Sequence, residues 1–329
     1  MRLSEVGELL LLERIRTRFR SRRGGLLVGI GDDAAVLEPP RRGKLLLTTD
    51  MMLEGVHFDL GLISPRQLGF KLVSVNVSDI YAMNGEPASV LLSMAVPGRT
   101  DWDFVDALLS GVQEALSLYG ASLAGGDVSS SRARMSLSAT VVGHAVRPLL
   151  RRGARPGDLI YATGPLGDSA AGLRLLRKMR SAPSLEEPVE KPLPWKVMEP
   201  LLRRHLMPVA RRPGAWRKAA TAMLDISDGL ALDLMRLIRE SGVGAVIEED
   251  RIPVSPALRE AAGFLGAGPR EMALAGGEDY ELLFTLPPGR RPGGGCALLG
   301  EITPGEGLRL RAADGRERAL EPKGYRHFR

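Results

Sequence analysis

Apolar residues recur along the chain with two spacings, one typical of helices and one typical of strands. Residues 4–19 carry apolar side chains at helical spacing, and Gly24 and Gly25 end that pattern before the apolar run 26–28. We therefore expect an opening helix followed by a strand. The rest of the first half alternates in the same way. Its predicted strands are 45–49, 89–96 and 135–142, and its predicted helices are 65–83 and 102–119.

A segment rich in proline, glycine and arginine, residues 147–158, interrupts this alternation. We place a boundary near residue 148, with an N-terminal domain at 1–148 and a C-terminal domain at 149–329. Residues 181–200 contain five prolines and are expected to form a loop or insertion without chemistry. The second half again predicts an α/β arrangement. Its strands are 159–161, 221–224, 245–248 and 281–286, and its helices are 168–180 and 229–240.

Composition narrows the class of protein. With 329 residues and 44% hydrophobic content, the chain is long enough for two globular domains. Cys296 is the only cysteine, which excludes an internal disulfide and a metal site built from cysteines. No run of 18 apolar residues and no signal peptide is recognisable, so we expect a cytoplasmic protein without a membrane partner.

The charge balance does not indicate a nucleic-acid partner. Lys and Arg total 45 against 39 Asp and Glu, giving a formal charge of +6. The excess is scattered in short clusters, such as Arg151 with Arg152, that lack interleaved aromatic residues. These clusters are interpreted as solvated faces.

The strongest chemical signal is a set of acidic residues that follow apolar runs, where we expect tight turns. One Asp after a strand is usually a helix cap or a turn residue. Several carboxylates converging on one cleft would instead repel one another unless cations neutralised them. Oxygen ligands of this kind suit Mg²⁺, which is commonly shared with substrate phosphates. The segments are Gly31-Asp32-Asp33, Thr48-Thr49-Asp50, residues 76–79, Gly125-Gly126-Asp127 and residues 225–229.

Common nucleotide-binding signatures are absent from the sequence. Gly43-Lys44 is followed by Leu45, so no P-loop is present, and the protein-kinase motifs are also missing. Glycines beside the acids, such as Gly125 and Gly126, allow the backbone to approach phosphate oxygens. A nucleotide would therefore be held in a different way from those classes.

Eight short motifs follow one another in a fixed order along nearly the whole chain. They are GIGDDAA at 29–35, TTD at 48–50, EGVHF at 54–58, VNVSDI at 75–80, TG at 163–164, LGDSAAG at 166–172, DISDGL at 225–230 and GGEDYEL at 276–282. This ordered set resembles the thiamine-monophosphate kinase family.

This resemblance implies the fold of the aminoimidazole-ribonucleotide synthetase superfamily. That fold has an N-terminal α/β domain whose strands pair across a homodimer into a β-barrel-like sheet, followed by a C-terminal α/β (α+β) domain. The active site is expected in the cleft between the domains, near the dimer interface.

The resemblance also implies the roles of individual residues, with several Mg²⁺ ions and ATP as co-substrate. Asp32 would support the metal ligands. The implied metal ligands, direct or through water, are Asp33, Thr48, Thr49, Asp50, Asp79, Asp127, Asp225 and Asp228. The implied ATP contacts are Tyr119, Gly126, Asp127, Arg151 and Ser227, and the implied thiamine-phosphate contacts are His57, Glu278 and Tyr325.

Without the resemblance, two of the substrate contacts have simpler interpretations. His57 lies between Val56 and Phe58, as a partly buried strand histidine would. The segment 276–281 could be a polar loop that enters an apolar strand. Two glycines beside three acids also suit a cationic thiazolium partner.

The implied reaction moves the γ-phosphoryl group of ATP onto thiamine monophosphate, giving ADP and thiamine diphosphate. The acceptor oxygen is already anionic, so no general base is expected, and the protein would act by alignment and charge neutralisation. Arg151 could add a bidentate phosphate contact. The alternatives are another ATP-dependent enzyme of the superfamily, such as an amidine-forming or selenophosphate-forming synthetase, and a non-catalytic Mg-ATP sensor.

Overall fold

A computed structural model describes residues 1–20, 25–31, 34–181, 183–325 and 327. The chain forms two compact units. Unit 1 comprises Met1–Tyr81, Gly85–Pro148 and Arg180–Pro183. Unit 2 comprises Ala82–Asn84, Leu149–Met179 and Ser184–Arg329. In the described part of the chain, no helix combines the length and the apolar character needed to cross a membrane.

Unit 1 opens with two short helices and a small hairpin. Helices α1 (Leu3–Val6) and α2 (Glu8–Arg18) are separated at Gly7, whose φ of 79° belongs to the left-handed region. The single helix predicted for residues 4–19 is therefore wrong, because Gly7 leaves the helical conformation. Strand β1 (Leu26–Val28) is confirmed, and it pairs antiparallel with β2 (Val36–Leu37).

The main sheet of unit 1 has four strands in the order β3-β6-β4-β5. The β3–β6 and β4–β6 pairs are antiparallel, whereas β4 and β5 are parallel. Strand β5 was not predicted from the sequence. The strands are β3 (Lys44–Leu53), β4 (Glu86–Pro97), β5 (Ser122–Ser131) and β6 (Ser136–Ala145).

Two long helices in unit 1, α3 (Pro65–Ala82) and α4 (Trp102–Tyr119), pack with their backbones in close approach. A Cβ placed on Gly69 of α3 would lie 2.0 Å from the carbonyl oxygen of Leu108, and one on Gly111 of α4 would lie 1.8 Å from that of Arg66. Only glycine fits at both positions, so this pair fixes how α3 crosses α4. Both helix predictions are confirmed.

Unit 2 is built on a seven-stranded, mostly antiparallel sheet in the order β13-β12-β9-β11-β7-β10-β8, in which β12 and β9 are parallel. In the described residues of this unit, five helices accompany the sheet, and short 3₁₀ turns lie at Ala215–Lys218 and Glu249–Arg251. The strands are β7 (Leu159–Ala162), β8 (Ala222–Asp225), β9 (Gly244–Glu248), β10 (Leu282–Leu286), β11 (Ala297–Thr303), β12 (Gly307–Arg311) and β13 (Glu317–Ala319). The helices are α5 (Asp168–Met179), α6 (Trp195–Leu206), α7 (Leu230–Ser241), α8 (Pro256–Leu265) and α9 (Pro269–Ala275).

Apolar side chains cover both faces of this sheet. Leu283 of β10 belongs to one buried cluster, together with α7, and its neighbour Phe284 belongs to another. Trp216 stacks on Phe284 with ring centroids 3.5 Å apart. Burial on both faces explains why all five residues of β10 are buried and why four of them, all except Thr285, are apolar.

Part of the proline-rich segment 181–200 is helical. Helix α6 begins at Trp195, directly after Pro194, and contains Pro200. The loop prediction is therefore wrong for its last six residues, 195–200. Two helices, α8 and α9, and three strands, β11 to β13, were also not predicted.

Candidate functional site

Four polar residues meet between β3 and α3 in unit 1. Thr48 and Asp50 are two residues apart on β3 and therefore point to the same face of the sheet. Thr48 Oγ1 donates to Asp79 Oδ2 at 2.6 Å, and the backbone N–H of Asp50 donates to Asn76 Oδ1 at 2.8 Å. Asn76 is fully buried, and its amide nitrogen donates to the Leu72 carbonyl. We call Thr48, Asp50, Asn76 and Asp79 the β3–α3 cluster.

The local setting of three predicted metal ligands differs from the sequence expectation. Asp50 lies within β3, Asp79 lies within α3, and Asp127 lies within β5. The prediction of tight turns after strands is wrong for these three residues, because both strands continue through polar positions and Asp79 is helical. It is confirmed for Asp225, the last residue of β8. Asp32 and Asp33 lie outside the described residues.

Thr49 points to the face of the sheet opposite Thr48. It pairs with Thr140 of β6, whose hydroxyl donates to Thr49 Oγ1 at 3.0 Å. Ser138 donates to the Asp50 carbonyl on the same strand pair, also at 3.0 Å. Because Thr48 and Thr49 point to opposite faces, their hydroxyls are directed towards different surroundings.

Gly126 and Asp127 lie on β5, at the edge of the sheet opposite β3. Three strand spacings separate the two edges, which is about 14 Å along the sheet. Asp127 is exposed and pairs with Ser93 of β4. A Cβ on Gly126 would lie 1.8 Å from the Leu92 carbonyl oxygen, so β5 approaches β4 too closely there for any side chain. The sheet of one chain therefore carries the predicted ligands on both of its edges.

Two further predicted contacts in unit 1 have partners within the unit. The Tyr119 hydroxyl lies 2.6 Å from Ser74 Oγ. His57 lies in a turn after β3, so the interpretation as a strand histidine is wrong. The backbone N–H of Leu53 donates to His57 Nδ1 at 3.0 Å. A neutral His57 therefore carries its proton on Nε2.

In unit 2, one loop gathers most of the predicted residues. We call residues 225–229 the β8–α7 loop. Three consecutive backbone N–H groups, those of residues 227–229, donate to Oδ2 of Asp233 at 3.1, 2.9 and 3.1 Å. Arg236 lies 2.6 Å from both Asp233 and Asp228. Burial raises the pKa of Asp233 to about 6, against the lowering effect of these donors. Asp233 thus fixes the backbone of the loop.

The carbonyls of the same loop hold the predicted substrate contacts. Glu278 donates its backbone N–H to the Ser227 carbonyl at 2.7 Å, and Tyr325 donates to that of Asp228 at 3.0 Å. Glu278 has a φ of 65°, in a region that costs energy for residues other than glycine. Asp225, Ser227, Asp228, Glu278 and Tyr325 are therefore brought together around the β8–α7 loop.

Arg151 lies elsewhere in unit 2. Ser241, the last residue of α7, donates its hydroxyl to the Arg151 carbonyl at 3.1 Å. Helix α7 has 12 residues, so its two ends are about 18 Å apart. Within this unit, Arg151 is thus placed at the far end of α7 from the β8–α7 loop.

A fully buried carboxylate follows Glu278. Asp279 accepts the backbone N–H groups of Gly167 at 2.6 Å and Ser169 at 3.1 Å. Burial raises the pKa of Asp279 to about 7, and these two hydrogen bonds oppose the rise. The two bonds tie the segment 276–281 to the start of α5.

A second fully buried carboxylate, Glu281, lies between two arginines. Arg204 Nη1 lies 2.6 Å from Glu281 Oε1, and Arg211 Nε lies 2.8 Å from Glu281 Oε2. Thr163 donates its hydroxyl to the same carboxylate at 2.6 Å. A carboxyl group is tolerated at this fully buried position because two arginines pair with it and Thr163 donates a hydrogen bond to it.

Each unit carries side chains whose oxygen atoms could bind a metal ion. Among the described residues, no three His, Cys, Asp or Glu side chains are grouped closely enough to hold a metal ion. The β3–α3 cluster supplies carboxylate and hydroxyl oxygens, and the β8–α7 loop supplies further carboxylates. Each of these two groups by itself offers ligands that fit Mg²⁺, which binds few protein carboxylates and takes its remaining ligands from water and phosphates.

Comparison with known proteins matches both halves of the chain. The model for the AIR synthase related protein, N-terminal domain, matches residues 31–145, and that for the C-terminal domain matches residues 155–313. The thiamine-monophosphate kinase of Aquifex aeolicus (strain VF5) is 39% identical over 331 residues, with 100% of each chain covered. The chain belongs to the thiamine-monophosphate kinase family.

Solved structures of this family extend the similarity to the fold. AaThiL complexed with AMPPCP and TMP gives a TM-score of 0.77 at 38% identity, covering 100% of this chain and 99% of that chain. The thiamine-monophosphate kinase of Stenotrophomonas maltophilia K279a gives a TM-score of 0.79 at 34% identity, and the alignment covers 93% of this chain and 96% of that chain. The family assignment and the mixed α/β fold expected from the resemblance are confirmed.

Sequence reasoning missed the residues that hold the site of this thiamine-monophosphate kinase family member in place. Asn76 lies one helical turn before Asp79, so their spacing of three could have indicated a shared face of α3. Asp233 follows Gly229 by four residues, in the first turn of α7, where an acid commonly meets free N–H groups. Arg236 carried no comparable signal.

Proposed function

We propose that this chain transfers the γ-phosphoryl group of ATP to the phosphate of thiamine monophosphate, releasing ADP and thiamine diphosphate. The observation that carries the proposal is the similarity over both units to AaThiL complexed with AMPPCP and TMP. The acidic β3–α3 cluster and the acidic β8–α7 loop supply oxygen ligands of the kind that bind Mg²⁺, the ion that would neutralise the phosphates of the two substrates.

The reaction needs no general base. The acceptor is a phosphate oxygen that is already anionic at neutral pH, so no proton has to be removed before it attacks the γ-phosphorus. The bond from the acceptor oxygen to phosphorus forms as the bond to the ADP oxygen breaks, and ADP leaves with the electron pair. The work of the protein is to align the two phosphates and reduce their repulsion.

The residues proposed to hold Mg²⁺, directly or through water, are oxygen donors from both units. Bound Mg²⁺ would neutralise phosphate charge in the ground state and on departing ADP. The aspartates and threonines would hold these ions, and the ions would supply positive charge beside the phosphates. The proposed ligands are Asp33, Thr48, Thr49, Asp50, Asp79, Asp127, Asp225 and Asp228.

The two substrates are assigned to different groups of residues. For ATP, the backbone of Gly126, which has no side chain, would approach the phosphates, Asp127 would act on them through bound Mg²⁺, and Arg151 would add positive charge. For thiamine monophosphate, the carboxylate of Glu278 would attract the thiazolium cation. The complete proposed ATP set is Tyr119, Gly126, Asp127, Arg151 and Ser227, and the proposed substrate set is His57, Glu278 and Tyr325.

We further propose that the active form is a homodimer that works in the cytoplasm. Both outer strands of the unit 1 sheet, β3 and β5, are ten residues long, which suits pairing with another chain. On β3, Leu45, Leu47 and Met51 lie on one face and are 55%, 66% and 56% exposed. An apolar face beside a long edge strand supports association of two copies.

The test is an ADP-release assay with a panel of acceptors. Full-length protein, Mg²⁺ and ATP are combined with thiamine monophosphate, thiamine or no acceptor, and thiamine diphosphate is quantified in parallel. Release of ADP should depend on both thiamine monophosphate and a divalent cation. ATP binding without thiamine diphosphate formation would indicate a sensor and contradict the proposal.

A further inference from the structure

His205 connects α6 to the segment that carries Glu278. Its Nδ1 lies 3.3 Å from Glu278 Oε2 and 3.0 Å from Ser169 Oγ of α5. The His205 side chain is 9% exposed, whereas that of Glu278 is 31% exposed. The contact therefore joins a buried imidazole to a carboxylate that reaches the surface of unit 2.

We propose that His205 is a positioning residue that holds the Glu278 carboxylate in the orientation needed to bind the cationic ring of thiamine monophosphate. The inference rests on the proposed function, in which Glu278 contacts that substrate. None of the sequence motifs includes His205, which lies just beyond the proline-rich segment 181–200.

In the contact between His205 and Glu278, the imidazole must be the proton donor and the carboxylate the acceptor. An ionised carboxylate only accepts hydrogen bonds, so attraction to Glu278 requires a proton on Nδ1 of His205. The Ser169 hydroxyl beside the same nitrogen can accept or donate, and it suits either tautomer. At 3.3 Å the Glu278 carboxylate lies within reach of a proton on Nδ1, and a charged acceptor attracts such a proton more strongly than a neutral one does, so the contact restricts the Glu278 side chain.

The backbone around Glu278 makes such a restraint necessary. Glu278 and Tyr280 have φ values of 65° and 51°, both in the left-handed region. Strained backbone of this kind persists where neighbouring contacts over-determine it. One such contact is the bond from the Glu278 N–H to the Ser227 carbonyl, which fixes the backbone and leaves the long side chain to be fixed separately.

Helix α6 supplies a second contact to the same segment. Arg204, the residue before His205, lies 2.6 Å from Glu281 and donates to the Asp279 carbonyl at 3.3 Å. Two consecutive residues of α6 thus reach residues 278–281. Arg204 holds the buried part of the segment, and His205 holds the carboxylate at its exposed end.

Loss of the contact between His205 and Glu278 should weaken the binding of thiamine monophosphate alone. Electrostatic attraction between a carboxylate and a cationic ring depends steeply on their separation and on exclusion of water. A Glu278 side chain free to rotate would weaken binding of thiamine monophosphate and leave ATP binding and phosphoryl transfer largely unchanged. The expected signature is a rise in KM for one substrate alone.

The test uses steady-state kinetics and a double-mutant cycle. In His205→Leu and in Glu278→Gln, KM for thiamine monophosphate should rise about tenfold, with KM for ATP within about twofold of the wild-type value. The double variant should resemble either single variant, because both remove the same interaction; independent effects would multiply to about a hundredfold. In His205→Asn the amide nitrogen takes the place of Nδ1, so this variant should recover most of the lost affinity.

Controls separate this role from general damage to α6. Arg203→Gln changes an exposed ion pair with Glu199 on the same helix and should leave both KM values unchanged. Calorimetric binding of thiamine monophosphate in the absence of ATP should weaken by the same factor as KM rises. If His205→Leu does not fold, His205→Gln takes its place in the cycle with Glu278→Gln, because a glutamine amide reaches the position of Nε2 and not that of Nδ1.

Two outcomes would overturn the inference. Additive effects in the cycle, or equal losses for ATP and thiamine monophosphate, would show that His205 acts on stability instead of on Glu278. Failure of the wild-type protein to form thiamine diphosphate would instead refute the proposed function. The wild-type assay therefore separates the two failures.

Discussion

At the scale of single residues, two hydrogen bonds connect β3 to α3 and set the arrangement of Asp50 and Asp79. Thr48 donates its hydroxyl to Asp79, and Asn76 accepts the backbone N–H of Asp50. These contacts join residues 26 to 31 positions apart. Periodicity describes one element at a time, so it does not predict such pairs.

The first prediction concerns Asp50. Asp50→Asn should lower kcat at least about a hundredfold, because it removes a charged oxygen donor where phosphate charge must be neutralised. The backbone N–H that Asn76 accepts is retained, so the thermal midpoint should stay near the wild-type value. Asp103→Asn, an exposed change in the first turn of α4, is the matched control and should be fully active. Near-normal turnover of Asp50→Asn would contradict the assigned metal role.

The second prediction concerns pH and Asp279. Burial raises its pKa from an ordinary value of 3.8 to about 7 in the folded chain. Between these values the native state binds more protons than the unfolded state, so this group lowers the free energy of unfolding as pH rises through that window. Above pH 7 its effect is constant.

Asp279→Asn cannot titrate and should lose this part of the pH dependence. Urea denaturation at pH 5 and pH 7.5 measures the free energy of unfolding at each pH. Between these two pH values, the free energy of unfolding should fall more for the wild-type protein than for Asp279→Asn. Asp103→Asn should follow the wild-type slope. Identical slopes for wild type and Asp279→Asn would show that Asp279 is already ionised at pH 5.

At the scale of elements, helices and strands were predicted correctly where the local spacing of apolar residues was regular. Helix α4 was predicted with its observed bounds, because amphipathic spacing continues to Gly120, which ends it in the left-handed conformation. Strand β5 was missed because Gly125, Gly126 and the polar residues after them are typical of a turn. Pairing with β4 overrides that preference, and such pairing is invisible in a local window.

The third prediction tests the crossing of α3 and α4. Gly69→Ala should destabilise unit 1 by about 3 kcal/mol or more, because the added Cβ would overlap the Leu108 carbonyl. Gly263→Ala is the matched control: this glycine lies within α8, and apart from its chain neighbours and the nearby backbone of its own helix, no described atom lies within 4 Å of the position that an alanine Cβ would take. The control should be stabilised by up to about 1 kcal/mol, because alanine favours helix more than glycine. Chemical denaturation measures the free energy of unfolding of both variants. Equal changes in the two variants would contradict the close packing of α3 against α4.

At the scale of the whole molecule, the sequence predicted the two-part α/β fold and, through its ordered motifs, the family. The placement of the predicted ligands on both edges of the unit 1 sheet was not predictable, because it depends on the strand order β3-β6-β4-β5. The local patterns define strands without ordering them. Association of two copies stays a prediction that arises from this arrangement.

The fourth prediction is the solution mass. Light scattering should give twice the chain mass of 35.5 kDa. Leu47→Lys, which places a charge on the exposed apolar face of β3, should shift the protein towards the monomer and lower activity. Val209→Lys, at a 46% exposed position in unit 2, is the control and should keep the wild-type mass. A monomeric, fully active wild-type protein would contradict the proposed dimer.

The most direct test of the central claim follows the transferred phosphate itself. With Mg²⁺, thiamine monophosphate and ATP labelled at its γ-phosphate, the label should appear in the terminal phosphate of thiamine diphosphate. ADP should form in an equal amount. Formation of AMP, label only in free phosphate, or no labelled thiamine diphosphate would contradict direct γ-phosphoryl transfer.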